Sequence, residues 1–535
     1  MDELTVQLSW NRLLAIVEEQ AQVLMRTAFS TVVREAGDLS AGVFDVQGRM
    51  IAQAVTGTPG HVNSMADAVA KFLVRFPLDT LTSGDVLVTN DPWDGTGHLN
   101  DFTVVTPVFM RGRCIALFAS TSHIADVGGR GFGADANDVF EEGIRIPICY
   151  LFRQGSIESV LLELLKANVR DPQVLEGDLY SLTACNDSGA TQLLEMMDDF
   201  GLEDLERLSE VIITRSAQAM AQEIAALPQG SFVNKMIIDG YDEPILLCAR
   251  LTVSESQIEL DFSGTSQASA KGINVPLSYT QAYASFGVRC VVGNEIPNNA
   301  GSLSLINVSA PPGCLVNAES PRAVSARHSV GQMLPDVVLG CLFQAVPERV
   351  PAEGASCIWN PVFMSSVGAS QEFVINPIFN GGTGARSAKD GLSTTAFPSG
   401  VKTTSTEVNE TTSPLMIWQK EYTCDSGGKG KYRGGLGQTI RVTHNHNETF
   451  VVSKMFDRIR HPARGRGSGE PGQAGRVYVV DPDGMVNDLP AKGRDEVPAG
   501  STLVFQTPGG GGLGDRADRV PELVARDRLN GYVSE

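Results

Sequence analysis

Asn90-Asp-Pro-Trp-Asp-Gly-Thr-Gly-His98-Leu-Asn-Asp101 runs into Thr103-Val-Val-Thr-Pro-Val-Phe109, Met110-Arg-Gly-Arg113 and Cys114-Ile-Ala-Leu-Phe-Ala-Ser120. The chain then leaves through Ser122-His123-Ile-Ala-Asp126-Val-Gly-Gly129. Two β-rich runs joined by a short polar turn predict an antiparallel hairpin. His98 and Asp101 enter its first strand and His123 leaves the second, and those two ends of a hairpin are neighbours. The spacing therefore brings three side chains together without any long-range assumption. Neutral imidazole nitrogen and carboxylate oxygen suit zinc, manganese or ferrous iron. The chain has only seven histidines in 535 residues, so two at one hairpin mouth make this cluster the leading clue to chemistry.

Working outward, His61 lies in Thr58-Pro-Gly-His61-Val-Asn-Ser64, after a turn and before a helix, and is a candidate proton-transfer group. Asp126, three residues past His123, is a second candidate general base. Asp38, in Arg34-Glu-Ala-Gly-Asp38-Leu-Ser40, is a candidate fourth metal ligand, though a turn aspartate reads the same way. His444-Asn-His446 reads as strand alternation. The arginine run Arg458, Arg460, Arg464 and Arg466 reads as a solvated loop.

Apolar spacing predicts a helix over 7–30, with Ser9 as its N-cap. A strand–turn–strand follows at 42–51, a helix at 62–76 and a strand at Val86–Thr89. Residues 158–227 are helix-rich and 231–262 alternate as strands. Residues 278–290 and 328–346 read as buried helices, and glycine and β-branched residues dominate from about 370. The expected fold class is multidomain α+β, in four regions: an N-terminal α/β metal-binding region (1–155), a helical region (156–230), a mixed α/β core (231–370) and a β-rich, glycine-containing C-terminal region (371–535).

Composition narrows the partners. Hydrophobic residues make up 42% and charged residues 19%, as in a folded protein, and a net charge of −20 disfavours nucleic acid and anionic membrane. The nine cysteines form no CxxC pair, no signal peptide is indicated, and no eighteen-residue apolar run occurs. A cytoplasmic location is expected. The glycine clusters at 426–437 and 508–514 lack the spacing of a phosphate loop, so ATP is not expected on this chain. They read as sites of close backbone approach to a partner or substrate channel.

The quoted motifs resemble the hydantoinase B / oxoprolinase family. So do Glu142-Gly-Ile-Arg145-Ile-Pro147, Asn168-Val-Arg170, Pro297-Asn-Asn-Ala-Gly301, Asp336-Val-Val-Leu-Gly340, Pro347-Glu-Arg-Val-Pro351, Asp425-Ser-Gly-Gly428, Tyr432-Arg-Gly-Gly435 and Thr507-Pro-Gly-Gly-Gly-Gly512. The resemblance covers essentially the whole chain. It implies the second subunit of an ATP-dependent cyclic-amide hydrolase acting on hydantoin, 5-oxoproline or a lactam. It also implies a partner subunit of the hydantoinase A type, with an actin-like ATPase fold, in an (αβ)2 or larger assembly. That partner phosphorylates the substrate and holds the ATP. His98, Asp101 and His123 match the His–Asp–His metal pattern of the carboxylase relatives, and Asp38 matches an acidic position that reaches the metal in lactam-hydrolysing ones. Gly95-Thr96-Gly97-His98 departs from the commoner Gly-Gly-Thr-His loop. Two alternatives stay open: a subunit of an acetone- or acetophenone-type carboxylase, and a non-catalytic scaffold for the ATPase.

Overall fold

The computed structural model describes residues 2–56 and 58–534. Its N-terminal part is a seven-stranded sheet of order β2-β1-β5-β4-β3-β6-β7. The strands are β1 (Leu39–Phe44), β2 (Met50–Gln53), β3 (Val86–Thr89), β4 (Asp101–Met110), β5 (Arg113–His123), β6 (Cys149–Arg153) and β7 (Ser156–Ile157). The β4–β5 hairpin forms as expected. Met110 pairs with Arg113 at the turn, where Arg111 and Gly112 both have positive φ, as a two-residue turn of the right twist requires. At the open end Asp101 pairs with His123.

Both faces of this sheet are covered. Val43, Val104, Ile115 and Phe118 face a core shared with α1 (Glu3–Thr27). Phe44, Val105, Leu117 and Ala119 face the other way, onto a helix at Pro59–Arg75. Burial on two sides explains why β4 and β5 read as nearly unbroken apolar runs rather than alternating ones. Helix α1 begins earlier than expected. Asp2 caps it, accepting from the Thr5 amide at 2.8 Å, and Ser9 is a buried interior residue, not the cap. A short α2 (Thr31–Arg34) precedes β1, and the helix at Pro59–Arg75 is α3.

The helices of the 156–230 region are α4 (Ser159–Asn168), α5 (Pro172–Asp199) and α6 (Glu206–Ala225). Leu179, Leu182, Leu193 and Ile212 pack into the same core as α1 and the sheet, so this region is a layer on the N-terminal part. A second sheet follows, of order β11-β10-β9-β8. Its strands are β8 (Gly230–Ile238), β9 (Ile245–Val253), β10 (Ile258–Asp261) and β11 (Ile306–Ser309). Helix α7 (Leu277–Arg289) shares its core. The helix expected at 328–346 is two pieces, His328–Gly331 and Leu334–Ala345, because Pro335 lies at the first turn of the second.

Two further sheets face each other across the aromatic core of Phe363, Phe379, Phe450 and Phe505. One contains a strand at Val362–Ser365, so strand pairing reaches back across the boundary expected at 370. The arginine run is solvated at Arg460 and Arg464 but buried at Arg458 and Arg466. Arg458 is buried against Asp336 and Glu353 at 3.0 and 3.2 Å, and Arg464 also reaches Glu353. A buried charge needs such partners. His444 ends a strand at Gln438–His444, and His446 lies in the turn beyond it, where His444 Nδ1 accepts from the amides of His446 and Glu448.

The glycine clusters have a different place from the one expected. They are buried against one another, not offered to a partner. Residues 509–513 form an axis whose amides turn to a new neighbour at each step. Gly509 and Gly512 donate to Gln473 and Glu470, Gly510 and Leu513 donate to Gly435 and Tyr432, and Gly511 donates to Glu353. A three-residue repeat is that of a polyproline-II helix, which has no internal hydrogen bonds and must find them outside. Glycine is required by the closeness of approach: a Cβ on Gly510 would sit 1.9 Å from the Thr383 carbonyl oxygen, and one on Gly509 1.8 Å from that of Ser426.

Candidate metal centre

The loop before β4 is built by its own side chains. Asn90 donates to the carbonyls of Leu99 (2.8 Å) and Ile144 (2.9 Å) and accepts from the Ile146 amide (2.7 Å). Asp91 pairs with Arg145. The Asn90-Asp-Pro and Gly143-Ile-Arg145 motifs are thus two halves of one clasp. It presents His98 beside the hairpin mouth, where Asp101 and His123 already pair.

Donor atoms of His98, Asp101 and His123 all lie within 4.8 Å of one another, and all three residues are buried. Asp101 is the hub. Its Oδ1 lies 2.6 Å from His98 Nε2 and 3.3 Å from His123 Nδ1. Its Oδ2 lies 2.8 Å from His61 Nε2 and 3.1 Å from Thr96 Oγ1, and is bonded by Arg327. Burial opposes the Asp101 charge, but His61, His98 and Arg327 outweigh it and hold the carboxyl well below the usual range.

His98 shows that the set fits a divalent cation. Its Nδ1 is 2.9 Å from the Ser325 carbonyl, which only accepts, so Nδ1 carries the hydrogen. Burial and Arg327 lower this ring to about 4, so Nε2 carries a lone pair at neutral pH. That lone pair faces a carboxylate oxygen at 2.6 Å, an arrangement a cation between them relieves. A ligand histidine whose other nitrogen donates to a backbone carbonyl is a recurrent metal-site arrangement. His123 Nε2 is buried with no hydrogen-bond partner among the described residues. The nitrogen–oxygen donor set suits zinc, manganese or iron.

His61 sits in the first turn of α3, not before it. Burial lowers its pKa, but Asp101 and Asp38 outweigh this and the net shift is upward. Its Nδ1 is buried, has no hydrogen bond among the described residues and lies 3.6 Å from Asp38 Oδ1. Asp38 accepts from Thr58 Oγ1 at 2.9 Å and lines the same cavity, outside the three-residue group. Asp126 is not brought to the cavity. Its carboxylate pairs with Arg170 at 2.6 Å and caps the Gly128 amide, which makes it a loop anchor.

The cavity is small, with a volume of about 30 Å³. Its other wall comes from residues that no sequence motif marks. The Phe132 ring stands edge-on to His98 and His123, with centroids 5.7 and 5.0 Å away. His328, held neutral by burial and Arg327, is 3.0 Å from Asn360. Ile378 and Val401 complete the wall from the C-terminal half. Arg327 and His328 stand out as polar residues at the head of a run that reads as core helix. That is their only local signal.

A family model described as Hydantoinase B/oxoprolinase matches residues 2–516. The chain belongs to the Hydantoinase B/oxoprolinase family. It is 28% identical to the B-type subunit of a putative D-/L-hydantoinase of Pseudomonas sp. (strain NS671), over 100% of this chain and 94% of that protein. Its fold is that of the ATP-dependent caprolactamase from Pseudomonas jessenii, with a TM-score of 0.90, 23% identity and coverage of 100% and 95% of the two chains. It is also that of acetone carboxylase in its nucleotide-free form, with a TM-score of 0.89, 18% identity and coverage of 100% and 78%. Among the described residues no helix is long and apolar enough to cross a membrane.

Proposed function

We propose that this chain completes ring opening in an ATP-dependent cyclic-amide hydrolase, acting on a phosphorylated intermediate made by a partner ATPase subunit. The observation that carries the reading is the buried His98–Asp101–His123 set, whose donor atoms lie within 4.8 Å of one another. A divalent cation (zinc, manganese or iron) held there supplies a Lewis acid and lowers the pKa of water. Asp38 is a candidate fourth ligand from the cavity rim. Amide resonance makes direct attack by water slow, and phosphorylation supplies the leaving group.

The chain's own residues divide the remaining work. His61 Nε2 lies against Asp101, and its Nδ1, 3.6 Å from Asp38 Oδ1, is the group that takes or holds a proton. Phe132, Ile378 and Val401 exclude bulk water, which protects a labile intermediate. The general-base role falls to His61 and not to Asp126, whose carboxylate is held by Arg170. A relative matched over nearly its full length is named as one subunit of a hydantoinase, which supports a partner subunit. That partner is read as the actin-like hydantoinase A type, in an (αβ)2 or larger complex. The fold is shared with acetone carboxylase as well, so the carboxylase alternative is separated by chemistry: ATP turnover that requires bicarbonate favours it.

The test uses the co-purified complex with hydantoin, 5-oxoproline and lactam substrates. Wild type carries about one metal per chain, and His123→Ala loses it, because each ligand contributes heavily to affinity. The Asp101→Ala complex assembles and retains substrate-stimulated ATP cleavage, but yields no ring-opened product. Unchanged metal content in the first variant, or normal product in the second, sinks the reading.

A further inference from the structure

We propose that Arg327 is a positioning residue that makes Asp101 a one-oxygen donor, reserving Oδ2 for the protein and leaving Oδ1 alone for the cation. The inference rests on the metal reading above and adds to it. The two carboxylate oxygens have separate surroundings. Among the described residues Oδ1 meets only the ring nitrogens of His98 and His123. Oδ2 meets three donors: His61 Nε2, Thr96 Oγ1 and Arg327 Nη2. Arg327 is the permanently charged donor of the three and competes hardest with a metal for that oxygen.

Of the three, Arg327 is the one held most firmly. Its Nε donates to the Thr96 carbonyl at 3.0 Å, its guanidinium lies 3.9 Å from the centroid of the Tyr279 ring, and its side chain is 2% exposed. Two bonds from one planar fork fix both the loop and the carboxylate, a geometry an ammonium cannot reproduce. Gly97 has φ +100°, and a Cβ there would lie 2.6 Å from Arg327 Nε. The glycine makes room for the arginine. The consequence is chemical: a cation bound through one carboxylate oxygen and two imidazoles keeps open positions for reactants, whereas a two-oxygen Asp101 fills one of them.

The experiment loads the co-purified complex with Co2+, whose visible absorption weakens as coordination number rises. Arg327→Met is expected to bind cobalt at wild-type stoichiometry with a weakened band, and to lose about tenfold or more in kcat with KM little changed. Arg327→Lys should restore the band only in part. Gly97→Ala, which displaces an intact Arg327, should reproduce the Met spectrum. A folded Met variant with wild-type spectrum and kcat overturns the proposal. Should that variant misfold by circular dichroism, Arg327→Lys decides: an ammonium cannot hold both the Thr96 carbonyl and Oδ2, so the band must be weaker than in wild type, and a wild-type band overturns the proposal. Wild type that takes up no cobalt overturns the metal reading itself, a separate result.

Discussion

Asp101 carries more of the site than any other residue, and its neutral isostere separates charge from shape. In Asp101→Asn the carboxamide fills the same space, but Arg327 keeps a buried charge that has lost its counterion. Breaking a buried pair from one side costs about 3–5 kcal/mol. We expect Asp101→Asn to unfold at clearly lower denaturant concentration than wild type, with metal lost as well. Equal midpoints would show that the pair contributes nothing to stability. The sequence revealed His98, Asp101 and His123 for a physical reason, since one hairpin brings them together. Arg327 reaches Asp101 across 226 positions, and no local pattern marks such a contact. Asp126 misled for the converse reason. Its place beside His123 in sequence says nothing of its side chain, which turns to Arg170.

Strands and helices were legible wherever burial imposes a period or a continuous apolar run. The β4–β5 hairpin is the clearest case, and the α1 cap the clearest miss, because Asp2 lies before the apolar spacing begins. Besides the Arg327–Asp101 pair, the buried acid Glu142 holds the segment at 323–328 to the site. Glu142 Oε1 accepts from the amides of Val324 and Ser325 at 2.7 Å each, and Ser325 in turn receives His98. Burial pushes the Glu142 carboxyl up to about 8, against 4.5 unperturbed. Between those values the folded chain holds a proton that the unfolded chain has released. Stability from this group is therefore full below about pH 4.5 and falls by about 1.4 kcal/mol per pH unit toward pH 8. Glu142→Gln keeps an acceptor oxygen and does not ionise. Denaturation at several pH values should show a shallower decline for the variant, and parallel curves would refute this account.

On the scale of the whole molecule, the cavity lies where the N-terminal sheet meets the C-terminal half, so neither half holds a complete site. Nothing local foretells this, because Phe132, Asn360 and Val401 are ordinary residues in their sequence contexts. The axis at 509–513 was equally hidden. A glycine run signals a close approach but not what approaches. In Gly510→Ala the new Cβ would lie 1.9 Å from the Thr383 carbonyl oxygen, so backbone must give way and not a flexible side chain. We expect that variant to be insoluble or to lose more than about 4 kcal/mol, the range reserved for disrupted cores. Soluble protein with a wild-type melting temperature would show that the bundle has room to spare.

The same bundle sets an order in time. Its axis is made last, whereas the segments that receive it, near 353, 383, 435 and 470, leave the ribosome first. At ordinary elongation rates of about 5–20 residues per second, those segments wait on the order of ten seconds with unpaired backbone groups. The C-terminal half therefore closes only after translation reaches the axis. A message cut short before residue 508 yields a nascent chain with exposed strands and nothing to gather them, a substrate for chaperones and proteases.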